Sequence, residues 1–415
     1  MSKPKRNPDI FKNIIGYEYA KQEFLTILFA LDNREEFLSR GITIPRGLML
    51  YGPRSQDNEY LAERFIRASC YRHHFYDGDD NALVEFCNST QSDHNYIVYI
   101  TDFDKRAANE FSKFSQIVAS IMEDTDKTNI FFIAVVNSLD DVPNKWLLPT
   151  RFRRKIKVYL PSYSESVEMV HALCEKKKLP QALITEDLYG LLSRTAYNRM
   201  EALIDDAIFH CNDSIDGPFA ITIKDIIDAK ERYSLRANIF REHDSEKNYK
   251  RSAYHEAGHV LVAELLQPKI VGCAIITKAR YCYYSGITEM QNVHSNIHND
   301  IICNLAGMVA EETVFGDNHG GAECDITPAF EEISNIILKS GRKGLSDILF
   351  KNNFSEQSIS LTESQEKAIY NLAEEYKQKA QELISENRQL LDALATRLAE
   401  KGYLVRSDIE EIMYS

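Results

Sequence analysis

The sequence has no apolar run long enough to cross a lipid bilayer. Its longest uninterrupted apolar stretch is Ile130–Val136, whereas a membrane-spanning helix needs about 20 apolar residues. The first residues, MSKPKRNPDIFKNIIG, carry basic side chains but no apolar core of a signal peptide. Secretion is therefore not expected. These two absences predict a soluble, cytoplasmic protein without a membrane span.

The chain also lacks an excess of basic residues and a cysteine framework. It has 62 acidic against 49 basic side chains and a formal net charge of −13, which argues against broad binding to nucleic acid or anionic lipid. Its eight cysteines are scattered, with no C-x-x-C pair. We expect reduced thiols, not a disulfide scaffold or a structural zinc site. No internal repeat or low-complexity segment is present.

Hydrophobic patterning divides the chain into three parts. Four apolar runs in the first part indicate buried strands: GLMLYG (47–52), NYIVYIT (95–101), NIFFIAVV (129–136) and KIKVYL (155–160). They alternate with amphipathic stretches, which predicts a mostly parallel sheet with helices on both faces. Residues 161–235 have helical patterns only, and the charged stretch 241–251 is typical of a linker. The predicted domains are 1–160, 161–240 and 241–415.

The third part is predicted to be mainly helical. It contains one β-like patch, IVGCAIITKARYCYYSGITEM (270–290), and a long helical tract from Thr362 to about Lys401. In that tract, apolar residues recur at helical spacing.

The strongest chemical signal is His255-Glu256-Ala257-Gly258-His259 within the helical stretch SAYHEAGHVLVAELL. Histidines four positions apart lie on one face of a helix, so two imidazoles can reach one ion. Zinc bound there would polarise a carbonyl and acidify a water, and Glu256 is placed to take the proton. The motif predicts that His255 and His259 are metal ligands and that Glu256 is a general base.

A catalytic zinc needs a third protein ligand and one open position. The acidic residues of AGMVAEETVFG (306–316) and GGAECDI (320–326) are both candidates. A second pair, His294 and His298, has the same spacing, but Ser295 stands where the base should be. We expect that pair to be surface histidines.

These segments resemble the FtsH-type AAA zinc metalloproteases, and the resemblance runs from about Phe11 to the C-terminus. It implies an AAA-like α/β domain with a helical lid, followed by a mainly α-helical zinc metallopeptidase domain. It also implies that Asp325 is the third zinc ligand and that Glu311 or Glu312 orients a ligand. A charge pair on a helix surface is the alternative for the two glutamates. By resemblance, the β-like patch supplies the edge strand on which a peptide lies, although its aromatic residues could equally be core.

The segment that corresponds to the family's phosphate-binding loop departs from the pattern. The family's GPPGTGKT aligns with residues 52–59, from Gly52 to Glu59. Asn58 replaces the lysine, Glu59 replaces the hydroxyl, and Asp57 adds a second acid where phosphates would lie. In the second acidic motif, Thr101 stands in place of the magnesium-side aspartate, followed by Asp102. Binding of ATP is therefore doubtful.

Other parts of the ATPase pattern are retained. Asn137 matches the polar sensor after the fourth strand, and Arg151 and Arg154 match arginines that reach a neighbouring subunit. Their alternative is ordinary surface charge. The segment 52–101 is shorter than the family pattern, and no aromatic pore loop is evident unless Phe75 and Tyr76 serve. The family usually carries N-terminal membrane helices, which this sequence lacks.

The sequence as a whole predicts a zinc metalloendopeptidase that cleaves unfolded proteins or peptides without ATP drive. Protein or peptide substrates and a homo-oligomer, by resemblance a hexamer, are the expected partners. Two alternatives stay open. One is an ATP-dependent FtsH-type protease with an unusual nucleotide site, and the other is an AAA-like binding scaffold with a vestigial peptidase.

Overall fold

The computed structural model describes residues 11, 14–52, 57–109, 111–211, 221–235, 246–276, 286–290, 296–318, 323–339 and 362–415. The chain forms two compact units. The first unit contains residues 1–169 and 195–202, and the second contains residues 170–194 and 203–415. Among the described helices, none is both long and apolar enough to cross a membrane.

The first unit is built on a five-stranded sheet in the order β2-β3-β4-β1-β5. Its strands are β1 (Gly47–Tyr51), β2 (Arg72–Tyr76), β3 (Tyr96–Ile100), β4 (Ile130–Val136) and β5 (Arg154–Lys157). Every pairing in this sheet is parallel. The three central strands β3, β4 and β1 are almost fully buried, as expected when both faces of a sheet are covered. The predicted parallel sheet is thus confirmed.

Within residues 14–123, the described part of the first unit also forms six α-helices: α1 (Glu18–Asp32), α2 (Arg34–Ser39), α3 (Asp57–Ser69), α4 (Asp80–Asn88), α5 (Phe103–Ala107) and α6 (Lys113–Glu123). On one face, residues of alternate strand positions such as Met49 and Phe132 join a core with Phe103, Trp146 and Phe152. The ring of Phe103 meets those of Trp146 and Phe152 edge to face at 5.1 and 4.9 Å between centroids. Such pairs add to the free energy gained from burial.

Residues 163–235 form four helices and no strand among the residues described there: α7 (Tyr163–Lys176), α8 (Glu186–Leu192), α9 (Tyr197–His210) and α10 (Ile223–Leu235). Helices α7 and α9 each have residues in both units. The division into domains 1–160, 161–240 and 241–415, with a separate helical lid, stays a prediction.

The second unit continues with further helices and a small antiparallel sheet. The helices are α11 (Glu246–Leu266), α12 (Ile297–Phe315), α13 (Glu323–Lys339), α14 (Glu363–Glu386), α15 (Arg388–Lys401) and α16 (Arg406–Tyr414). The strands are β6 (Val271–Ile276), β7 (Gly286–Met290) and β8 (Tyr403–Val405), in the order β7-β6-β8. Helix α11 packs against α12, α15, β6 and β7. Its central residues Val260, Leu261 and Ala263 are fully buried.

Three features of the fold differ from the sequence-based expectation. Strand β2 was not predicted because its residues, RHHFY, are polar and mostly accessible at the sheet edge. Strand β8 has only three residues and follows Gly402, which caps α15 with a φ of 83°. The long C-terminal tract is two helices, because the side chain of Asn387 donates a hydrogen bond to the Leu383 carbonyl and competes with the helical pattern.

Candidate functional site

Three side chains of the second unit converge on one point. Helix α11 carries His255 and His259 on one face, and Asp325 lies in the first turn of α13. The two Nε2 atoms are 3.2 Å apart, and Asp325 Oδ2 lies 3.0 Å from His255 Nε2 and 3.6 Å from His259 Nε2. Within the described ranges, this is the one set of three potential ligands with all donor atoms within 4.8 Å. Two imidazoles and one carboxylate are a ligand set suited to zinc.

The outer nitrogens of both histidines are fixed by hydrogen bonds. His259 Nδ1–H donates to the Cys303 carbonyl oxygen at 2.7 Å, and His255 Nδ1–H donates to Glu311 Oε1 at 2.8 Å. These bonds place the lone pairs on the Nε2 atoms, where a metal would bind. Arg251 lies 3.4 Å from Glu311 Oε2 and balances its buried charge.

The backbone of α12 leaves room for the two imidazoles at Gly307. A Cβ atom at this position would lie 2.5 Å from the Nε2 atoms of both His255 and His259. In α11, Gly258 lets the two helices approach closely, because a Cβ there would lie 2.6 Å from the Ala310 Cβ. The space for an ion between these helices therefore depends on glycine at both positions.

Hydrogen bonds within the cluster shift the pKa values of His255 and Asp325 in opposite directions. Burial alone would lower the pKa of His255, but hydrogen bonds to Asp325 and Glu311 outweigh burial and raise this pKa to about 10. Burial alone would raise the pKa of Asp325, but hydrogen bonds with both histidines hold it well below its usual range. A site that holds a proton this strongly also favours a divalent cation, which would take the proton's place.

Glu256 lies beside the ligands without being one of them. Its side chain is buried, and its Oε2 accepts a hydrogen bond from Thr288 Oγ1 at 2.7 Å. Thr288 belongs to β7, which pairs with β6 and forms one edge of the small sheet as described. The β-like patch of the sequence thus contains an edge strand, while its residues 277–285, with all three of its aromatic residues, lie outside the described residues.

The two glutamates of the AEE segment have different environments. Glu311 contacts a candidate ligand, whereas Glu312 pairs with Lys377 at 2.8 Å and accepts a hydrogen bond from Asn318 at 2.6 Å. In the other histidine pair, His298 is partly buried and contacts the hydroxyl of Tyr376. His294 lies outside the described residues.

In the first unit, the residues of the nucleotide-like pattern lie at the carboxyl edge of the sheet. Gly52 follows β1, Thr101 and Asp102 follow β3, and Asn137 follows β4, which lies between these two strands. The Gly52 amide donates to the Asn137 carbonyl at 3.3 Å. The Asn137 side chain donates to Asp104 Oδ2 at 3.4 Å. Asp102 has a φ of 49° and pairs with Lys105 at 2.7 Å.

The acids of the loop segment have separate roles. Asp57 is buried and accepts hydrogen bonds from the Tyr17 hydroxyl and from the amides of Tyr197 and Asn198 at the start of α9. Its charge therefore lies on a helix N-terminus of its own chain, whereas the sequence predicted a charge where phosphates would lie. Burial raises the pKa of the Asp57 carboxyl, although these hydrogen bonds favour its ionised form.

Asn58 and Glu59 occupy the positions of the missing lysine and hydroxyl. Asn58 is buried, and its Oδ1 has no hydrogen-bond partner among the described residues. Glu59 is exposed, and partial burial together with the charges of Asp102 and Glu63 raises its pKa. The surroundings of Glu59 are therefore acidic, which disfavours a triphosphate.

The two candidate inter-subunit arginines differ in exposure. Arg151 is mostly buried, pairs with Glu123 at 2.5 Å and covers the Trp146 ring at 4.8 Å. Arg154 is 45% exposed and lies 3.6 Å from Glu23. The suggested pore residues Phe75 and Tyr76 are part of β2, not of a loop, and Tyr76 is buried.

Four residues around the three candidate metal ligands were not identified from the sequence: Arg251, Thr288, Cys303 and Gly307. Cys303 contributes only its backbone carbonyl, so its side-chain type carries no signal. Gly307 stands inside a predicted helix, where glycine is unfavourable, and this could have marked it as a position of close approach.

Comparisons show that the chain is similar to known zinc metalloproteases. Residues 242–412 match the model of peptidase family M41. The ATP-dependent zinc metalloprotease FtsH of aster yellows witches'-broom phytoplasma is 24% identical over 97% of this chain and 64% of its own length. FtsH of Mycoplasma genitalium is 25% identical over 97% of this chain and 62% of its own length. FtsH of Lachnoclostridium phytofermentans is 24% identical over 96% of this chain and 74% of its own length.

The chain thus spans less than two thirds of the length of the phytoplasma and mycoplasma relatives. The family match includes all three candidate ligands and Glu256. Residues 242–412 of this chain thus match peptidase family M41, and nearly its whole length is similar to FtsH-type zinc metalloproteases.

Proposed function

We propose that the chain is a zinc metalloendopeptidase that hydrolyses peptide bonds of unfolded proteins or peptides without ATP drive. One observation carries the proposal: the donor atoms of His255, His259 and Asp325 converge within 4.8 Å, with the Glu256 carboxylate beside them. The family match over residues 242–412 supports it.

Each candidate site residue would have a separate role in the reaction. His255 and His259 would bind zinc through Nε2 and Asp325 through a carboxylate oxygen, which leaves one position open for substrate or water. When bound, zinc supplies Lewis acidity, which polarises the scissile carbonyl and acidifies water. Glu256 would accept the proton of the attacking water and deliver it to the leaving amine. Glu311 would hold the His255 ring in the orientation required for binding.

Strand β7 is the proposed support for the substrate. An extended peptide can pair with the backbone of a sheet edge, which aligns it without regard to its side chains. Thr288 of β7 contacts Glu256 directly, so a peptide on this strand would lie near the general base. This mode of binding requires an unfolded segment.

The absence of ATP drive is proposed from the first unit. A phosphate-binding loop needs a lysine as a point charge against the triphosphate. Here Asn58 is buried at that position, Glu59 is acidic, and Thr101 provides no carboxylate for magnesium. Asp57 already occupies the amides that begin α9. Without a driven stroke, folded substrates would resist cleavage.

The metal and the base are tested by substitution. Wild-type protein should contain about one zinc per chain, and His255→Ala or Asp325→Ala should lower that content. Glu256→Gln should retain zinc and lose about 100- to 10,000-fold in kcat, because it removes a general base. Metal analysis and cleavage of an unfolded protein, with and without chelator, measure both. The Glu312→Gln variant is the matched control, since that glutamate pairs with Lys377 away from the ligands. Normal cleavage by Glu256→Gln would refute the assignment of the base.

Nucleotide dependence is tested separately. Isothermal titration with ATP and magnesium should give no binding at micromolar concentrations, and added ATP should leave the cleavage rate of unfolded protein unchanged. Micromolar affinity with steady phosphate release that accelerates proteolysis would instead support the ATP-dependent alternative, which the names of the relatives favour. Zinc binding without any cleavage would support the scaffold alternative.

A further inference from the structure

We propose that Thr288 is a positioning residue for the reaction, and that its hydroxyl fixes the orientation of the Glu256 carboxylate. This inference rests on the proposed function, in which Glu256 is the general base. It assigns to the edge strand a part in catalysis in addition to peptide alignment.

The contact between the two side chains is short and partly buried. Thr288 Oγ1 lies 2.7 Å from Glu256 Oε2 and 3.4 Å from the Glu256 carbonyl oxygen. A hydroxyl has one proton to donate, so the shorter contact to the carboxylate is the dominant bond. Glu256 is only 5% exposed, and hydrogen bonds from protein to buried carboxylates are stronger than those between neutral groups. Within the described part of the chain, the carboxylate accepts no other hydrogen bond.

The donor is held by the sheet and not by a loose loop. Thr288 stands opposite Ala274 in the β6–β7 pairing, and β6 is also paired with β8. Ala274 is fully buried, and α11 packs against both β6 and β7. Threonine is branched at Cβ, which restricts its side-chain rotation in a strand. The hydroxyl is therefore presented at a fixed place relative to the helix that carries Glu256.

This arrangement gives the two carboxylate oxygens different tasks. Thr288 occupies Oε2, and Oε1 is left to accept a proton from the attacking water. A carboxylate released from Thr288 could rotate about its terminal bond, which has a broad torsional preference. Catalysis by a base depends on its geometry at the reacting atom, so such rotation would lower kcat more than it would weaken peptide binding.

The test compares two substitutions at Thr288 with a matched control. Thr288→Val keeps the shape but removes the hydroxyl, and should lower kcat by about 10- to 100-fold, as for a misplaced catalytic group. KM should stay within about twofold, because the substrate contacts are retained. Thr288→Ser restores the donor and should recover most of the loss. Thr313→Val removes a hydroxyl that binds only the Val309 carbonyl in α12, and should leave kcat unchanged.

A second readout does not depend on peptide cleavage. Acetohydroxamate chelates zinc and carries a proton for a neighbouring carboxylate to accept, so its affinity for the zinc-loaded protein reports the placement of Glu256. Thr288→Val should weaken its binding by about 10- to 100-fold, as expected for one lost hydrogen bond to a charged group. Thr288→Ser and Thr313→Val should match wild type. Zinc content should be equal in all four proteins.

The outcomes separate the two proposals. If wild type binds acetohydroxamate but cleaves no peptide, the proposed function fails, while weaker binding by Thr288→Val would still support the positioning role. If Thr288→Val equals wild type in both readouts, or if Thr288→Ser is as impaired as Thr288→Val, the inference is refuted. A rise in KM with unchanged kcat would assign Thr288 to peptide binding and also refute it.

Discussion

The lack of a Cβ atom at one glycine leaves the space that the candidate metal centre occupies. Gly307 has no Cβ, and the space this leaves is filled by the Nε2 atoms of His255 and His259. The backbone carbonyl of Cys303, one turn earlier in the same helix, accepts a hydrogen bond from the imidazole of His259. Helix α12 therefore contributes to the centre through backbone atoms and one carboxylate, that of Glu311, although it supplies no candidate ligand.

A substitution at Gly307 tests this dependence on space. In Gly307→Ala, the added Cβ would overlap both Nε2 atoms at 2.5 Å, so the imidazoles must shift away from the ion. We expect zinc affinity to fall by about 10- to 100-fold, as for loss of a supporting contact. Competition with a chromogenic chelator measures this change. Met308→Leu, a volume-conserving change at the next position, should leave affinity unchanged. Equal zinc affinity in Gly307→Ala would disprove the steric argument.

At the scale of elements, one buried ion pair connects α11 to the C-terminal helix. Arg406 of α16 donates to both oxygens of Glu264 in α11, at 2.8 and 3.1 Å. The Val271 amide and the Tyr414 hydroxyl also donate to Glu264. The Glu264 side chain is fully buried and that of Arg406 is 3% exposed. Because α11 also carries the candidate ligands, this pair stabilises the helix on which the centre is built.

Removal of one partner should be costly. Glu264→Gln removes the buried counter-ion of Arg406, and loss of one partner of a buried pair typically lowers the free energy of unfolding by about 3–5 kcal/mol. Urea unfolding followed by circular dichroism at pH 7 measures the change. Glu410→Gln removes the more accessible partner of Arg406 and should cost about 1 kcal/mol or less. A Glu264→Gln protein as stable as wild type would show that the pair makes no net contribution.

The same pair predicts a dependence of stability on pH. Burial alone would raise the pKa of Glu264, but hydrogen bonds from Arg406, Tyr414 and the Val271 amide outweigh burial and lower it. A lowered pKa stabilises the folded state above the ordinary glutamate value of about 4.3. That contribution is lost as the pH falls through the folded-state pKa. The stability difference between wild type and Glu264→Gln should therefore be constant from pH 7 to about pH 5 and shrink at lower pH.

At the scale of the whole molecule, we propose a homo-oligomer, by relationship a hexamer. The apolar stripe of the C-terminal tract is used within the second unit, where Ile369, Leu372 and Tyr376 join the core. Arg151 is likewise engaged within its own chain. Arg154 and exposed apolar side chains such as Phe29 and Tyr159 are the better candidates for contacts between copies.

Light scattering at micromolar concentration tests assembly. We expect a closed oligomer with a mass that is a multiple of 47.7 kDa, and Arg154→Glu should shift it towards smaller species by reversing the charge of a side chain proposed to contact a neighbouring copy. Lys105→Glu, a charge reversal at an exposed residue paired with Asp102, is the control. A monomer under all conditions would contradict the proposal.

The elements that could be predicted from the sequence are those with strong local patterns. The continuous apolar runs of β1, β3 and β4 and the helical spacing of HEAGH on α11 are local features, which depend only on neighbours in the chain. The third candidate ligand was left open between two acidic segments until family resemblance selected Asp325. Strand β2 was missed because its polar residues pair only at the sheet edge.

Contacts between distant segments could be seen only in the folded structure. The contact of Thr288 with Glu256, the space at Gly307 and the burial of Asp57 on the start of α9 join residues far apart in sequence. The local sequence does not specify these contacts, because a threonine in a strand, a glycine in a helix and an acid near a loop are each compatible with many folds. Their roles arise from packing, which fixes the distances between atoms that the order of residues leaves undefined.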